Sequence, residues 1–115
     1  MQIVNSWDQC VLGGGDRILI SYSPQVSGRG SRPMGWHIIR IVNGHEVPTD
    51  PNAHWTDYYR KFFHIGVRSE KKKMLAEAIE WANLTYGPRL YSRNRMGDFV
   101  EAELNQKFPI PKRDN

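Results

Sequence analysis

The stretch Arg60-Lys61-Phe62-Phe63-His64-Ile65-Gly66-Val67 can be read in two ways, and the choice sets the fold. Trp55, Tyr58, Tyr59, Phe62 and Phe63 recur at the i, i+3, i+4, i+7, i+8 spacing of a helix. Asp50-Pro51 would supply an N-cap and a first helical residue. Against this, residues 60–67 are dense in aromatic and β-branched side chains, and Gly66 is a poor helix-interior residue. The strand reading is the better one, after a short helical turn near residues 51–57.

A helix follows at once. Ser69 is a good N-cap, and Gly87-Pro88 stops the segment after Tyr86. Leu75, Ala78, Ile79, Ala82 and Tyr86 form one apolar stripe between them. Upstream, Trp36–Val42 reads as a strand closed by Asn43-Gly44. Gly13-Gly14-Gly15-Asp16 predicts the turn of a hairpin over residues 7–23, with Trp7–Leu12 and Arg17–Ser23 as its arms. Downstream, Asp98 and Glu101 have capping-box spacing, which predicts a second helix over residues 98–108 with Val100, Leu104 and Phe108 on its buried side.

These elements imply an α+β fold: a small antiparallel sheet of three to four strands, one main helix on one face, and a second, C-terminal helix. A chain of 115 residues fits a single domain over 1–115: hairpin 7–23, sheet and main helix 36–86, C-terminal helix 98–108. An apolar fraction of 39% and a charged fraction of 24% place it with globular chains. No run of roughly 18 apolar residues suggests a membrane span, and no basic start followed by an apolar run suggests a secretory signal. The single cysteine, Cys10, rules out an intramolecular disulfide and suits a cytoplasmic setting.

The net charge of +4 is unevenly spread. Residues 58–95 hold nine basic and three acidic side chains, whereas the segments on either side are each net −1. A local excess of this kind attracts polyanions or an acidic partner. Lys71-Lys72-Lys73 stands at the start of the main helix, where cations oppose the helix dipole, so helix stability does not explain it.

Alternation along the strands predicts a platform for this charge. Trp36, Ile38, Arg40 and Val42 share one face of their strand; Arg60, Phe62 and His64 share one face of theirs. If the main helix covers Phe63, Ile65 and Val67, the opposite face combines Trp36, Arg40, Arg60, Phe62 and His64. Aromatic rings stack on bases, and guanidinium groups reach phosphates and guanine edges. The competing reading makes Trp36 and Phe62 ordinary core, with Arg40 reaching out at the edge.

The run Arg29-Gly30-Ser31-Arg32-Pro33-Met34-Gly35-Trp36 bears on this. With Ile39, Ile41, Phe63-His64-Ile65-Gly66, Ser69 and the Ala-rich helix ending Leu84-Thr85-Tyr86-Gly87, it resembles the apetala/ethylene-response-factor type of DNA-binding domain, which also occurs in phage integrases and homing endonucleases. The likeness spans about residues 29–87. It implies a three-stranded sheet packed on one helix, with the sheet in the DNA major groove and Arg29, Arg32, Trp36, Arg40 and Arg60 making the contacts.

The expectation is therefore non-catalytic binding of double-stranded DNA, through Arg29, Arg32, Trp36, Arg40, Arg60, Phe62, Lys71, Lys72, Arg93 and Arg95. The alternative is a protein-binding inhibitor or adaptor, for example a phage-encoded blocker of a host defence complex. Trp55, Tyr58 and Tyr59 would form its interface, since Trp, Tyr and Arg dominate binding hot spots. An oligomer formed through the same aromatics is a third reading. The four histidines, His37, His45, His54 and His64, show no metal-ligand spacing, so neither a metal nor another cofactor is expected. His45, His54 and Asp57 are the weak candidates for an acid–base or metal group on the long loop.

Overall fold

The computed structural model describes residues 15–24, 33–93 and 97–101, the side chains of 100 and 101 excepted. Its elements are β1 (Asp16–Ser23), β2 (Gly35–Val42), β3 (His45–Val47), β4 (Lys61–His64), α1 (Lys71–Tyr86), β5 (Tyr91–Arg93) and β6 (Phe99–Glu101). The fold is α+β. All the strands pair antiparallel in the order β3-β2-β1-β6-β5, and β4 also pairs with β2.

β1 and β2 form the spine, pairing over their full length from Asp16↔Val42 to Ser23↔Gly35. Alternation sends Ile18, Ile20, Trp36 and Ile38 to one face, where they are fully buried with Ile65, Ala78 and Ala82. Leu19, Ile39 and Ile41 form a second buried cluster on the other face. Ala78 and Ala82 keep the helix close to the sheet, because a methyl group is all that separates its backbone from Ile and Trp side chains. Full burial of each large apolar side chain contributes about 1.5–3 kcal/mol.

The two-residue turn Asn43-Gly44 joins β2 to β3. Both residues have positive φ, 49° and 86°, as the hairpin turns that match strand twist require. Gly35 matters for a different reason. A Cβ there would sit 2.3 Å from the Phe62 ring and 2.5 Å from the Phe63 carbonyl, so only glycine lets β4 approach β2 this closely.

The helix is fastened at both ends. The Trp36 indole Nε1–H donates to the Lys71 carbonyl at 3.0 Å. Past the other end, the Arg89 guanidinium donates to the Tyr86 carbonyl, to the Asp16 carbonyl and to the Asp16 carboxylate at 3.2–3.5 Å. Gly87 supplies the positive φ, 98°, that ends α1. The chain enters α1 through a 3-10 turn over Arg68–Glu70, so Ser69 lies inside that turn and Glu70 occupies the cap position.

Ser69 is thus not the helix cap that its type suggests, and two further expectations change. The stretch read as strand over 60–67 is a four-residue strand, Lys61–His64, preceded by a 3-10 turn at Asp57–Tyr59. The segment beginning at Asp98 starts as a strand and not as a helix. The Asp98 carboxylate accepts from the Tyr22 N–H at 3.0 Å and the Ser21 hydroxyl at 3.3 Å, which ties its segment to β1. Phe99 meets Trp36 edge-on at 6.0 Å and pairs with Ile20. Sheet pairing thus overrides the capping-box spacing. The remainder of that predicted helix, and the first arm of the predicted 7–23 hairpin, lie outside the described residues. Among the described residues no helix is long and apolar enough to cross a membrane.

Candidate functional site

The predicted nucleic-acid platform depends on how β2 and β4 are phased, and the register decides it. Trp36 pairs with Phe63 and Ile38 with Lys61, so these four share the helix-covered face. Phe62 pairs with His37 and His64 with Gly35, which places Phe62 and His64 on the opposite face. Trp36 and Phe62 therefore lie on different sides of the sheet, and the combined face does not exist. Trp36 is 1% exposed beneath α1. Phe62 is half-buried between the His37 and Trp55 rings, at 4.7 and 5.3 Å.

Arg40 and Arg60, both assigned to phosphates and bases, are engaged internally. Arg40 makes a bidentate pair with Asp16 at 2.9 and 2.8 Å and lies 4.8 Å from the Tyr86 ring centroid. The Arg40 hydrogen bond holds the Asp16 carboxyl below its ordinary value; burial opposes this, while the Arg40 and Arg89 charges add to it. The same bond raises the Arg40 guanidinium further. Arg60 makes a second bidentate pair, with Glu46 on β3, at 2.6 and 2.8 Å. Arg29, Arg32 and Arg95 lie outside the described residues.

What remains is two separate surfaces. The first is the loop over residues 48–60. The Thr49 hydroxyl donates to the Ile38 carbonyl at 2.8 Å and accepts from the Lys61 N–H at 2.7 Å, tying the loop to β2 and β4. The Asp50 carboxylate closes a local turn by accepting from the Asn52 N–H. The Thr56 hydroxyl oxygen accepts from the Arg60 N–H at 2.8 Å. The Tyr59 carbonyl accepts from both the Thr49 and the Asp50 N–H.

Inside this framework Tyr58 and Tyr59 both adopt left-handed backbone, φ 57° and 53°. A bulky residue rarely does so, and two in succession are rarer still. Their rings point outward: Tyr58 is 65% exposed, Trp55 58% and Tyr59 46%. The Arg60 guanidinium, held by Glu46, lies 5.4 Å from the Tyr58 ring centroid. Beside the loop, Trp55, Asp57, Phe62 and His37 line a cavity of about 310 Å³.

The second surface is the start of α1. Arg68, Lys72, Lys73 and, on β5, Arg93 are exposed. Lys71 is half-buried, with its Nζ 3.9 Å from the Tyr22 ring centroid. Among the described residues no carboxylate lies within ion-pair distance of these five cations. His45 lies on β3 while His54 and Asp57 lie on the loop, and no cluster of His, Cys, Asp or Glu among the described residues is arranged to hold a metal.

The sequence reading named Trp55, Tyr58 and Tyr59 but missed the groups that position them: Glu46, Thr49 and Thr56. The Asp50-Pro51-Asn52 turn was a readable local signal. The Thr49 and Glu46 anchors reach across strands and leave no local pattern. No family model, curated protein or solved structure matches the chain.

Proposed function

We propose that the chain is a non-catalytic recognition module that grips a protein partner through Trp55, Tyr58 and Tyr59. The observation behind this reading is the pair of exposed left-handed tyrosines. Each such residue costs on the order of 1–3 kcal/mol, and strain of this kind persists where surrounding structure enforces it and function uses it. Here the Thr49, Thr56 and Arg60–Glu46 bonds enforce it. Rigid Tyr and Trp side chains give large contact area at low entropic cost, which suits binding hot spots.

Tyr58→Gly separates function from stability. Glycine takes φ 57° without strain, so the thermal midpoint should hold or rise by a few degrees, while partner binding falls at least tenfold. Binding is read by capture from nuclease-treated lysate of the source cell, with Trp55→Ala beside Tyr58→Gly and Lys72→Gln as the surface control. A partner that Lys72→Gln retains and both aromatic variants lose supports the reading. One that all three retain sinks it, as does a chain whose only partner is itself.

A second reading is duplex DNA binding at the start of α1. It is favoured by the cations Arg68, Lys71, Lys72, Lys73 and Arg93, which have no carboxylate within ion-pair distance among the described residues, and by the resemblance noted above. Affinity would then fall steeply with salt, as phosphate contacts release counterions. Binding that is absent at low salt, or unchanged at moderate salt, removes it.

A further inference from the structure

A cleft of about 320 Å³ opens between the start of α1 and the β5–β6 pair. Its walls combine two chemistries. Trp36, Leu75 and Phe99 make an apolar floor, and Lys71, Lys72 and Arg93 stand around it. The helix contributes two of the cations and β5 the third, so positive charge faces the cleft from both sides.

These charges are not neutralised by the described residues around them. The three ion pairs there belong to Arg40, Arg60 and Arg89. Asp98, next to the cleft-lining Gly97, turns its carboxylate to the Ser21 hydroxyl and the Tyr22 N–H. Lys71 is held against aromatic faces, its Nζ 3.9 Å from the Tyr22 centroid and 5.8 Å from that of Trp36. Gly97 completes the lining on the β6 side.

Like charges gathered at an apolar surface repel one another, and an anion relieves that repulsion. A bare anion would leave the floor wet, and a neutral hydrocarbon would leave the cations unpaired. Only a molecule with both parts satisfies the cleft. We infer that this cleft is a binding site for a small amphiphilic anion, an aromatic or short aliphatic body bearing a phosphate or carboxylate head. The head lies between Lys72 and Arg93, and the body rests on Phe99 and Leu75. Neither residue pair belongs to the aromatic loop, so this site stands apart from the partner surface.

Three probes isolate the two chemistries: 1-naphthyl phosphate, 1-naphthol and inorganic phosphate, titrated into the isotopically labelled chain. The Trp36 indole N–H, bonded to the Lys71 carbonyl, is the reporter resonance. Naphthyl phosphate should shift it saturably and bind at least about tenfold tighter than either half alone. The double variant Lys72→Gln, Arg93→Gln should lose about tenfold or more of that affinity while its other resonances keep their positions. Equal binding of naphthol, or unaltered affinity in the double variant, overturns the site. So does displacement by equimolar pyrophosphate, which would mark a plain polyanion contact. Displacement by a short single-stranded oligonucleotide at lower concentration than the probe itself would assign the cleft to nucleic acid and overturn it as well.

Discussion

The loop over residues 48–60 and the start of α1 both present cationic side chains, but they use them differently. In the loop, Arg60 is locked onto Glu46 by two short bonds and lies beside Tyr58. At the start of α1, the cations have no carboxylate among the described residues. A paired arginine fixes geometry, whereas an unpaired lysine adds to the surface potential and remains available to a partner. The same difference separates the expected nucleic-acid residues. Arg40 and Arg60 turn out to be fasteners, while Lys72 and Arg93 remain open to solvent.

The contrast is broken most forcefully at Glu46. Removing its carboxylate with Glu46→Ala leaves Arg60 largely buried, with its side chain 17% exposed and without its counter-ion. The cost should be about 2–3 kcal/mol, read as a drop in the urea midpoint at unchanged slope. Tyr58 should lose its ordered position along with Arg60, so partner capture should weaken too. A change under about 0.5 kcal/mol would show that the pair is ornamental and that the loop is held by Thr49 and Thr56 alone.

A smaller effect is expected at Asp16, the shared acceptor of Arg40 and Arg89. Its folded-state pKa lies below the ordinary 3.8. The stabilisation is therefore complete above that value and is lost as pH falls below 3.8 toward the depressed folded value. Both partners of the Arg40–Asp16 pair are about one-third exposed, at 32% and 34%, so solvent screening limits the contribution to about 1 kcal/mol. Asp16→Asn should lower the urea midpoint at pH 7, and the deficit relative to wild type should be smaller at pH 3, below the ordinary carboxylate value. An equal deficit at both pH values would show that the asparagine perturbs packing and not charge.

These two ion pairs also show where the sequence was legible. The main helix could be read because its signals are local: a stripe at 3.6 spacing and a Gly-Pro stop. β2 could be read for the same reason, from its β-branched run and the Asn43-Gly44 turn. Alternation correctly sorted the residues of each strand into faces. It could not say which face of β4 lies beside which face of β2, because that phase is set by pairing. Gly35 fixes it by admitting the Phe62 ring, and the Ile65 N–H holds it by donating to the Met34 carbonyl. Shifting β4 by one residue would have assembled the Trp36–Phe62 face that alternation suggested. The Asp98 segment failed for a related reason. Its capping-box spacing is real, but Phe99 finds more burial against Trp36 and β1 than a surface helix would offer.

The smallest effect falls on the other side of the comparison, and it tests whether the lysines belong to the fold at all. Lys72 and Lys73 occupy the first turn of α1, where the exposed N–H groups carry partial positive charge. Neither has a carboxylate within ion-pair distance among the described residues, so the native helix bears a small electrostatic penalty. Lys72→Gln with Lys73→Gln should raise the thermal midpoint by about 1–2 °C at low salt, with the gain shrinking as salt screens the repulsion. The same variant should bind naphthyl phosphate, and duplex DNA if the second reading holds, more weakly than wild type. A chain that is more stable without its lysines but poorer at holding an anion keeps them for a ligand. A lower midpoint instead would place the lysines among the fasteners, with Arg40 and Arg60, and erase the contrast between the two regions.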